Sequence, residues 1–318
     1  MRLVSLLPSA TEIIYALGLG DDLAGVTFEC DEPPAARADK AIVVGGLDTS
    51  GMTPGDIDRY VRSQLESGQD LYTLHARALA ELAPDLIVTQ DLCRVCAIPS
   101  GHVSDALDYL GCHADVLTLD PHTLEEVLDS ILLVGRRALV ADRAERVVAG
   151  LRDRLARVAA AVAGRRPPAV AVLEWVDPPF TAGHWVPDLV TAAGGRAVAG
   201  LAGLAGLAGL AGSASVQADW ADIEAAAPDL VVVAPCGYHL AGAIEQADYA
   251  VRALPGVPGV PGVPGVPGVP GVPVWAIDAD GIVVRPGPRL VNGVEALASI
   301  LHPEAVPAAP PGTVHRVR

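Results

Sequence analysis

Five cysteines, at positions 30, 93, 96, 112 and 236, carry the most versatile side-chain chemistry in this 318-residue chain. Cys93 and Cys96 stand at C-x-x-C spacing in TQDLCRVCAIP (89–99). That spacing suits a dithiol redox pair or half of a metal site. A thioredoxin-like pair needs a helix N-terminus to lower its thiol pKa, and Pro99-Ser-Gly follows too soon to favour one. Zinc in a closed site needs four ligands. Cys30, Cys93, Cys96 and Cys236 supply four, provided that distant parts of the chain close on one another. An odd, small number of cysteines is not a disulfide framework, and reduced thiols suit the cytoplasm.

The thiols take their meaning from the elements that precede them. Short apolar runs alternate with helical patterns along the whole chain. LVSLL (3–7), LAGVTF (23–28), AIVVG (41–45), DLIVTQ (85–90) and ADVLTL (114–119) read as strands. Ser9-Ala-Thr-Glu12 has the pattern of a capping box opening the helix EIIYALGL. Helices are expected over roughly 56–82 and 102–110. Thr123-Leu-Glu-Glu126 opens an apolar-periodic stretch to about Ala163 with no internal proline, a candidate connecting helix with a break allowed near Val140-Ala-Asp142. Strand and helix patterns then resume: AVAVLEW (169–175), a helix around 186–193, VWAID (274–278), IVVRP (282–286) and a helix from about 291 to 301. IEAAAPDLVVVAP echoes LAELAPDLIVTQ, so two lobes of similar build are expected. Alternation of this kind predicts parallel α/β sheets.

The resulting organisation is an N-terminal α/β lobe (1–121), a long connecting helix (122–165), a C-terminal α/β lobe (166–302) and a disordered tail (303–318). GLA units and PGV units make low-complexity loops at 199–212 and 255–273. Proline at every third residue removes ladder donors and excludes a central strand there.

The formal charge of −16 excludes a phosphate-backbone binder, which needs a basic footprint. No apolar stretch approaches the length of a membrane span. Met1-Arg2 leads directly into a strand-length apolar run, so the expectation is a cytoplasmic chain, or an extracytoplasmic one if the start codon is mis-assigned.

Ligands of open parallel sheets collect beyond the carboxyl ends of the strands. The residues expected there are Ser9 after the first strand, Glu29 and Cys30 after the second, and Asp91, Cys93 and Cys96 after DLIVTQ. In the second lobe they are Glu174, Trp175, His184 and Trp185, then Cys236 and Tyr238. Cys112 falls in a helix-to-strand loop at the opposite end and reads as a packed small hydrophobe. Aromatics make up only 4% of the chain, so Trp175 and Trp185, flanking a Pro/Gly-rich loop, stand out as a ligand platform.

The opening RLVSLLPSATEIIYALGLGDDLAGVT resembles the start of the mature cobalamin/iron-chelate periplasmic-binding proteins, the substrate-binding components of ABC importers. FECDEP, TQDLCRVC, LEWVDPPFTAGHWVPDLVTAAGG, PCGY and RPGPRLVNGVEALASILHPE are similar to a leaderless branch described as cobalamin-binding. The resemblance covers most of the chain outside the GLA and PGV tracts and the tail. It implies the helical-backbone metal-receptor type of fold, class III periplasmic-binding-like: two lobes joined by one long α-helix, with the ligand in the cleft between them. It implies non-catalytic binding of a corrinoid (cobalamin, vitamin B12) or a related metal chelate, by an importer-type binding protein or an intracellular carrier. An ABC permease is the implied partner if the chain is exported. Trp175, Trp185 and Tyr238 are then wall candidates, and Ser9, Glu29, Asp91 and His184 polar anchors. The cysteines depart from the family pattern. Cysteine thiolates or His184 ligate the cobalt of a corrinoid in one account. In the other the thiols hold a metal or iron–sulfur cluster of their own, in a metalloprotein or enzyme. A redox-active dithiol is a third reading.

Overall fold

Leu3, Val4 and Ser5 form a strand of three residues, all buried. Burial on both faces is the mark of a central parallel strand, which needs an unbroken apolar run rather than alternation. In the computed structural model, which describes residues 1–49, 51–91, 100–110, 113–198, 212–254 and 271–318, this strand is the third neighbour in from one edge of its sheet. Cys93, Cys96, Cys112 and the bulk of the GLA and PGV tracts lie outside the described residues.

The chain divides into two compact units, Met1–Pro121 with Glu125–Leu151, and His122–Leu124 with Arg152–Arg318. The first unit runs β1 (Leu3–Ser5), α1 (Pro8–Ala16), β2 (Leu23–Thr27), α2 (Pro34–Asp39), β3 (Ala41–Gly46), α3 (Pro54–Glu66), β4 (Tyr72–Leu74), α4 (Ala76–Glu81), β5 (Leu86–Thr89), α5 (Ser100–Leu110) and β6 (Asp115–Thr118). Its strands lie in the order β4-β3-β2-β1-β5-β6. All pairings are parallel except that of β3 with β4. The helix expected over 56–82 is therefore two helices with an edge strand between them. Thr53 caps the first, accepting from the Asp56 backbone N–H while the Asp56 carboxylate takes the Thr53 N–H. The box expected at Ser9 and Glu12 is absent. α1 starts two residues earlier, with Leu7 at the N-cap and Pro8 in the first turn, and both Ser9 and Glu12 are buried inside the helix.

The connector is two helices, α6 (Leu124–Arg137) and α7 (Ala141–Val162), not one. Leu139 takes a left-handed backbone, φ 60°, and is 82% exposed. Gly135 allows the break to pack. A Cβ there would lie 2.3 Å from the Ala144 Cβ, so only glycine lets the start of α7 close on the last turn of α6. The 22 residues of α7 span about 33 Å and continue from the first unit into the second.

The second unit continues with β7 (Ala169–Val176), β8 (Pro179–Thr181), α8 (Val186–Ala192), β9 (Arg196–Ala197), β10 (Val216–Gln217), α9 (Trp220–Ala225), β11 (Leu230–Val233), α10 (Leu240–Ala253), β12 (Val274–Ile277), α11 (Ala279–Ile282), α12 (Leu290–Leu301) and β13 (Val314–Arg316). The order is β10-β8-β7-β11-β12-β13, with β9 also paired to β7. β7, β11 and β12 run parallel, while β8, β10 and β13 pair antiparallel. Both sheets are thus mixed rather than purely parallel. Three expectations fail here. IVVRP is no strand: a short helix occupies its start. The amphipathic α10 lies where no element was foreseen. The tail is not disordered, since β13 pairs with β12 and Arg318 reaches the other side of the PGV tract. The Arg318 guanidinium donates to the Val272 carbonyl at 2.9 and 2.7 Å and to the Val251 carbonyl at 3.1 Å.

The two Ala-Pro-Asp segments are alike in geometry as well as in sequence. Ala83 and Ala227 both turn left-handed, φ 43° and 46°, just after α4 and α9, the usual way of ending a helix. Asp85 then accepts the Arg2 N–H at 2.7 Å and returns its own N–H to the Arg2 carbonyl. Asp229 does the same with Ala169, also at 2.7 Å. Each carboxylate thereby sets where a central strand begins against its neighbour. Among the described residues no helix is long and apolar enough to cross a membrane.

The carboxylate contacts make a direct prediction. Asp85→Ala and Asp229→Ala should each lower the unfolding free energy by about 1.5 kcal/mol, the ordinary worth of a hydrogen bond to a charged acceptor. Urea unfolding followed by circular dichroism measures this. Asp→Asn at the same positions, which keeps a neutral acceptor, should cost less.

Candidate functional site

In the second unit three parallel strands end together. β7 carries Trp175 near its end, before Asp177, β11 releases Pro235 to His239, and β12 releases Asp278 to Asp280. The loop after β11 is held from below by β7, through Cys236 N–H to the Glu174 carbonyl at 3.2 Å. It is held from the side by Asp280. That carboxylate accepts the Gly237 N–H at 3.0 Å on one oxygen and the Arg285 guanidinium at 2.6 Å on the other. The Asp280 N–H donates to the Tyr238 carbonyl at 3.1 Å. Arg285 and Asp280 are 9% and 14% exposed, so the pair is largely shielded from water and strongly directional. Beside it, His239 Nδ1 meets Asp278 Oδ1 at 2.8 Å.

This framework displays two rings. Trp175 and Tyr238 lie 6.0 Å apart at 54°, a tilted pairing that aromatic quadrupoles favour. The Trp175 indole N–H donates to the Asp177 carbonyl at 3.2 Å. The Tyr238 ring lies over α10 at Gly242, where a Cβ would come within 2.4 Å of it. Burial is the main cause that raises the Tyr238 phenol above its ordinary pKa, with the nearby Gln246 amide opposing. Gln246 itself is buried, and neither of its amide atoms reaches hydrogen-bonding geometry.

His184 and Trp185 sit elsewhere than expected. They follow β8, which turns back antiparallel to β7, so that Ala182 bonds to the Val172 carbonyl. They are therefore not beyond a parallel strand's carboxyl end. Trp185 is 6% exposed, with its indole N–H on the Val283 carbonyl at 2.8 Å. Its ring packs inside the unit. His184 is half-buried, its pKa lowered by desolvation and then by the proximity of His122. The two imidazole rings are 5.6 Å apart.

In the first unit the carboxyl edge carries a second aromatic pair that the sequence reading did not single out. Phe28 and Tyr72 lie 6.3 Å apart, and the Tyr72 hydroxyl points to Glu29 Oε1 at 3.4 Å. Glu29 is half-buried and its N–H rests on Thr27 Oγ1 at 3.2 Å. Asp91 is exposed, but its carboxylate accepts both the N–H and the hydroxyl of Ser100, at 2.7 and 2.5 Å. It thus ties down the first residue of α5. Ser9 is buried. Cys30 is fully buried, taking the Thr11 hydroxyl at 3.0 Å and facing that of Thr27 at 3.3 Å. That is the setting of a packed thiol. Cys236 is exposed. Among the described residues there is no group of three or more His, Cys, Asp or Glu able to hold a metal ion. Cys93 and Cys96 lie outside them.

Phe28, Tyr72, Asp280 and Arg285 were thus missed from the sequence. Only Arg285 left a signal there, a charge closing the apolar run IVV. The partners of the other three come from distant positions that no local spacing reveals.

The fold and this edge define a binding protein of the two-lobe α/β type, and comparison agrees. The periplasmic binding protein family model matches residues 3–261, so this chain belongs to that family, whose members bind substrates without transforming them. A vitamin B12-binding protein of Vibrio cholerae serotype O1 is 25% identical over 197 residues, 61% of this chain. The match spans 59% of that relative's length. Among solved structures, a periplasmic heme binding protein from Pseudomonas aeruginosa superimposes with TM-score 0.67 at 21% identity, over 99% of this chain and 97% of the other. The periplasmic vitamin B12 binding protein BtuF of Vibrio cholerae gives 0.60 at 20%, over 94% and 96%. The two-lobe fold is shared with both.

Removing one partner of the shielded ion pair strands the other. Asp280→Ala should cost about 3–5 kcal/mol, read as a fall in melting temperature together with a change in tryptophan emission from the loosened Tyr238 loop. His184 gives a pH signature. Its folded-state pKa lies below that of the unfolded chain, so the stability it contributes is present above about pH 6.5 and is lost as pH falls from there through the lower folded-state value. In chelator-containing buffer, the decline in melting temperature below pH 6.5 should be shallower in His184→Asn than in the unaltered chain.

Proposed function

We propose that this chain is the substrate-binding component of an ABC importer for a metal-chelate macrocycle, and that the ligand is a corrinoid. The observation that carries the reading is the Trp175–Tyr238 pair, presented at a carboxyl edge by a loop that Asp280 and Arg285 hold in place. A large, mostly apolar chelate needs aromatic walls whose rings are already fixed, because ordering them on binding would subtract from affinity. His239 with Asp278 adds hydrogen-bonding groups suited to the amide fringe of a corrinoid. The similarity to a vitamin B12-binding protein supports the same ligand class. The likeness to heme-binding structures makes a porphyrin the natural competitor. Both are metal-centred tetrapyrroles, and they differ in their fringe: amides on a corrinoid, carboxylates on heme. With a net charge of −16, the chain as a whole favours the less anionic of the two.

Titration of the full chain with cyanocobalamin and, separately, with hemin decides between them, using tryptophan quenching and ligand absorption. Saturable cyanocobalamin binding is expected, with Trp175→Ala and Tyr238→Ala each weakening it by about 2 kcal/mol, or roughly thirtyfold, as for aromatic anchors generally. Tight hemin binding with no corrinoid binding would replace the ligand; binding of neither would sink the proposal.

A further inference from the structure

His122 and His184 are brought together by two separate anchors. The backbone N–H of Leu124, two residues after His122, donates to Asp188 Oδ2 at 2.9 Å. Asp188 lies in the first turn of α8, the helix that follows His184 directly. His184 itself takes a left-handed backbone, φ 50°, uncommon outside glycine though less so for histidine than for most residues. Two backbone bonds hold it there. The His184 N–H donates to the Ser213 carbonyl at 2.6 Å, and its carbonyl accepts the Gly212 N–H at 3.0 Å. The preceding Gly183 is pressed so closely on residues 213–215 that a Cβ would lie 2.2 Å from the Ser215 nitrogen. The backbone on both sides of the His184 imidazole is thus fixed, with the His122 ring beside it.

We propose that His122 and His184 form a two-imidazole site for a borderline divalent transition cation such as Zn²⁺ or Co²⁺, with water completing the coordination. The rings are 5.6 Å apart and tilted by 48°. With metal–nitrogen bonds of about 2.0–2.1 Å, two imidazoles on one ion place their centroids roughly 5.2–5.5 Å apart for angles between tetrahedral and trigonal. Two imidazoles on opposite faces of a planar macrocycle would stand about 6.4 Å apart by the same bond lengths. The observed spacing lies about 0.1 Å above the range for neighbouring positions on one hydrated ion and well short of that for opposite faces of a macrocycle. Imidazole nitrogen suits this class of cation. Trp185 packs against the His184 ring at 5.8 Å, shielding one side. The inference does not depend on the corrinoid reading.

Chelator-stripped full chain is titrated with Co²⁺, following its visible absorption, and then competed with Zn²⁺. One Co²⁺ per chain is expected. His122→Ala, at an exposed position, and His184→Asn, which tolerates the backbone, should each weaken binding by at least about tenfold, with circular dichroism unchanged. The combined Cys93→Ser, Cys96→Ser and Cys236→Ser variant should bind as before. Unchanged affinity in His122→Ala would overturn the proposal, as would Co²⁺ binding that vanishes in the cysteine variant, or no saturable binding at all. Cyanocobalamin titration of His122→Ala is read separately, so loss of the cation site and loss of chelate binding are distinguishable.

Discussion

Where a central strand begins decides where it ends, and in both units that beginning is set by one carboxylate. Asp85 and Asp229 each accept the N–H of a residue at the start of the neighbouring strand, Arg2 and Ala169, from the same Ala-Pro-Asp turn. A slip of one residue in a strand would turn every side chain to the other face. It would also move the loops at the far end by about 3.3 Å. The placement of Trp175 near the end of β7 rests on the Asp229 contact, although it lies at the opposite end of the sheet. The internal echo in the sequence is therefore an echo of a register device.

The second unit then uses charge where most folds use hydrophobic packing. Arg285 and Asp280 are shielded, and Asp280 divides its two oxygens between the guanidinium and the loop that carries Tyr238. Replacing such a pair by apolar residues often preserves stability, so stability alone does not account for it. What the pair supplies is direction. It holds a glycine-containing loop, Cys236-Gly237-Tyr238, in one position, and a rigid ring is what a large flat ligand can use.

The sequence disclosed the strands and the alternation well, because buried parallel strands announce themselves as apolar runs. LIV, LVVV and VWAI all lie where expected. It misled where a residue had two competing roles. Ser9 and Glu12 have the spacing of a cap, but Pro8 at the first helical position moves the start and buries them both. His184 and Trp185 follow a strand in sequence, but β8 reverses direction, which apolarity cannot show. The break in the connector falls where one was allowed, near Val140, but its cause, a tight approach at Gly135 and a left-handed Leu139, is not legible in the sequence. Asp91 also accepts from Ser100, a local contact that its position after a strand does not announce. The aromatic pairs were half legible: Trp175 and Tyr238 stood out by their rarity, whereas Phe28 and Tyr72 meet only through the pairing of β3 with β4.

Arg318 has a consequence for how this chain can vary. Its guanidinium joins carbonyls on both sides of the PGV tract, at Val251 and Val272. The sheet is thereby insulated from whatever length lies between them. Closing a longer loop costs little, about 0.6 kcal/mol for each doubling of a flexible segment. Tandem triplets are prone to gain and lose units when DNA is copied. A change in the number of such units would fall between the two carbonyls that Arg318 joins, leaving the β12–β13 pairing in place.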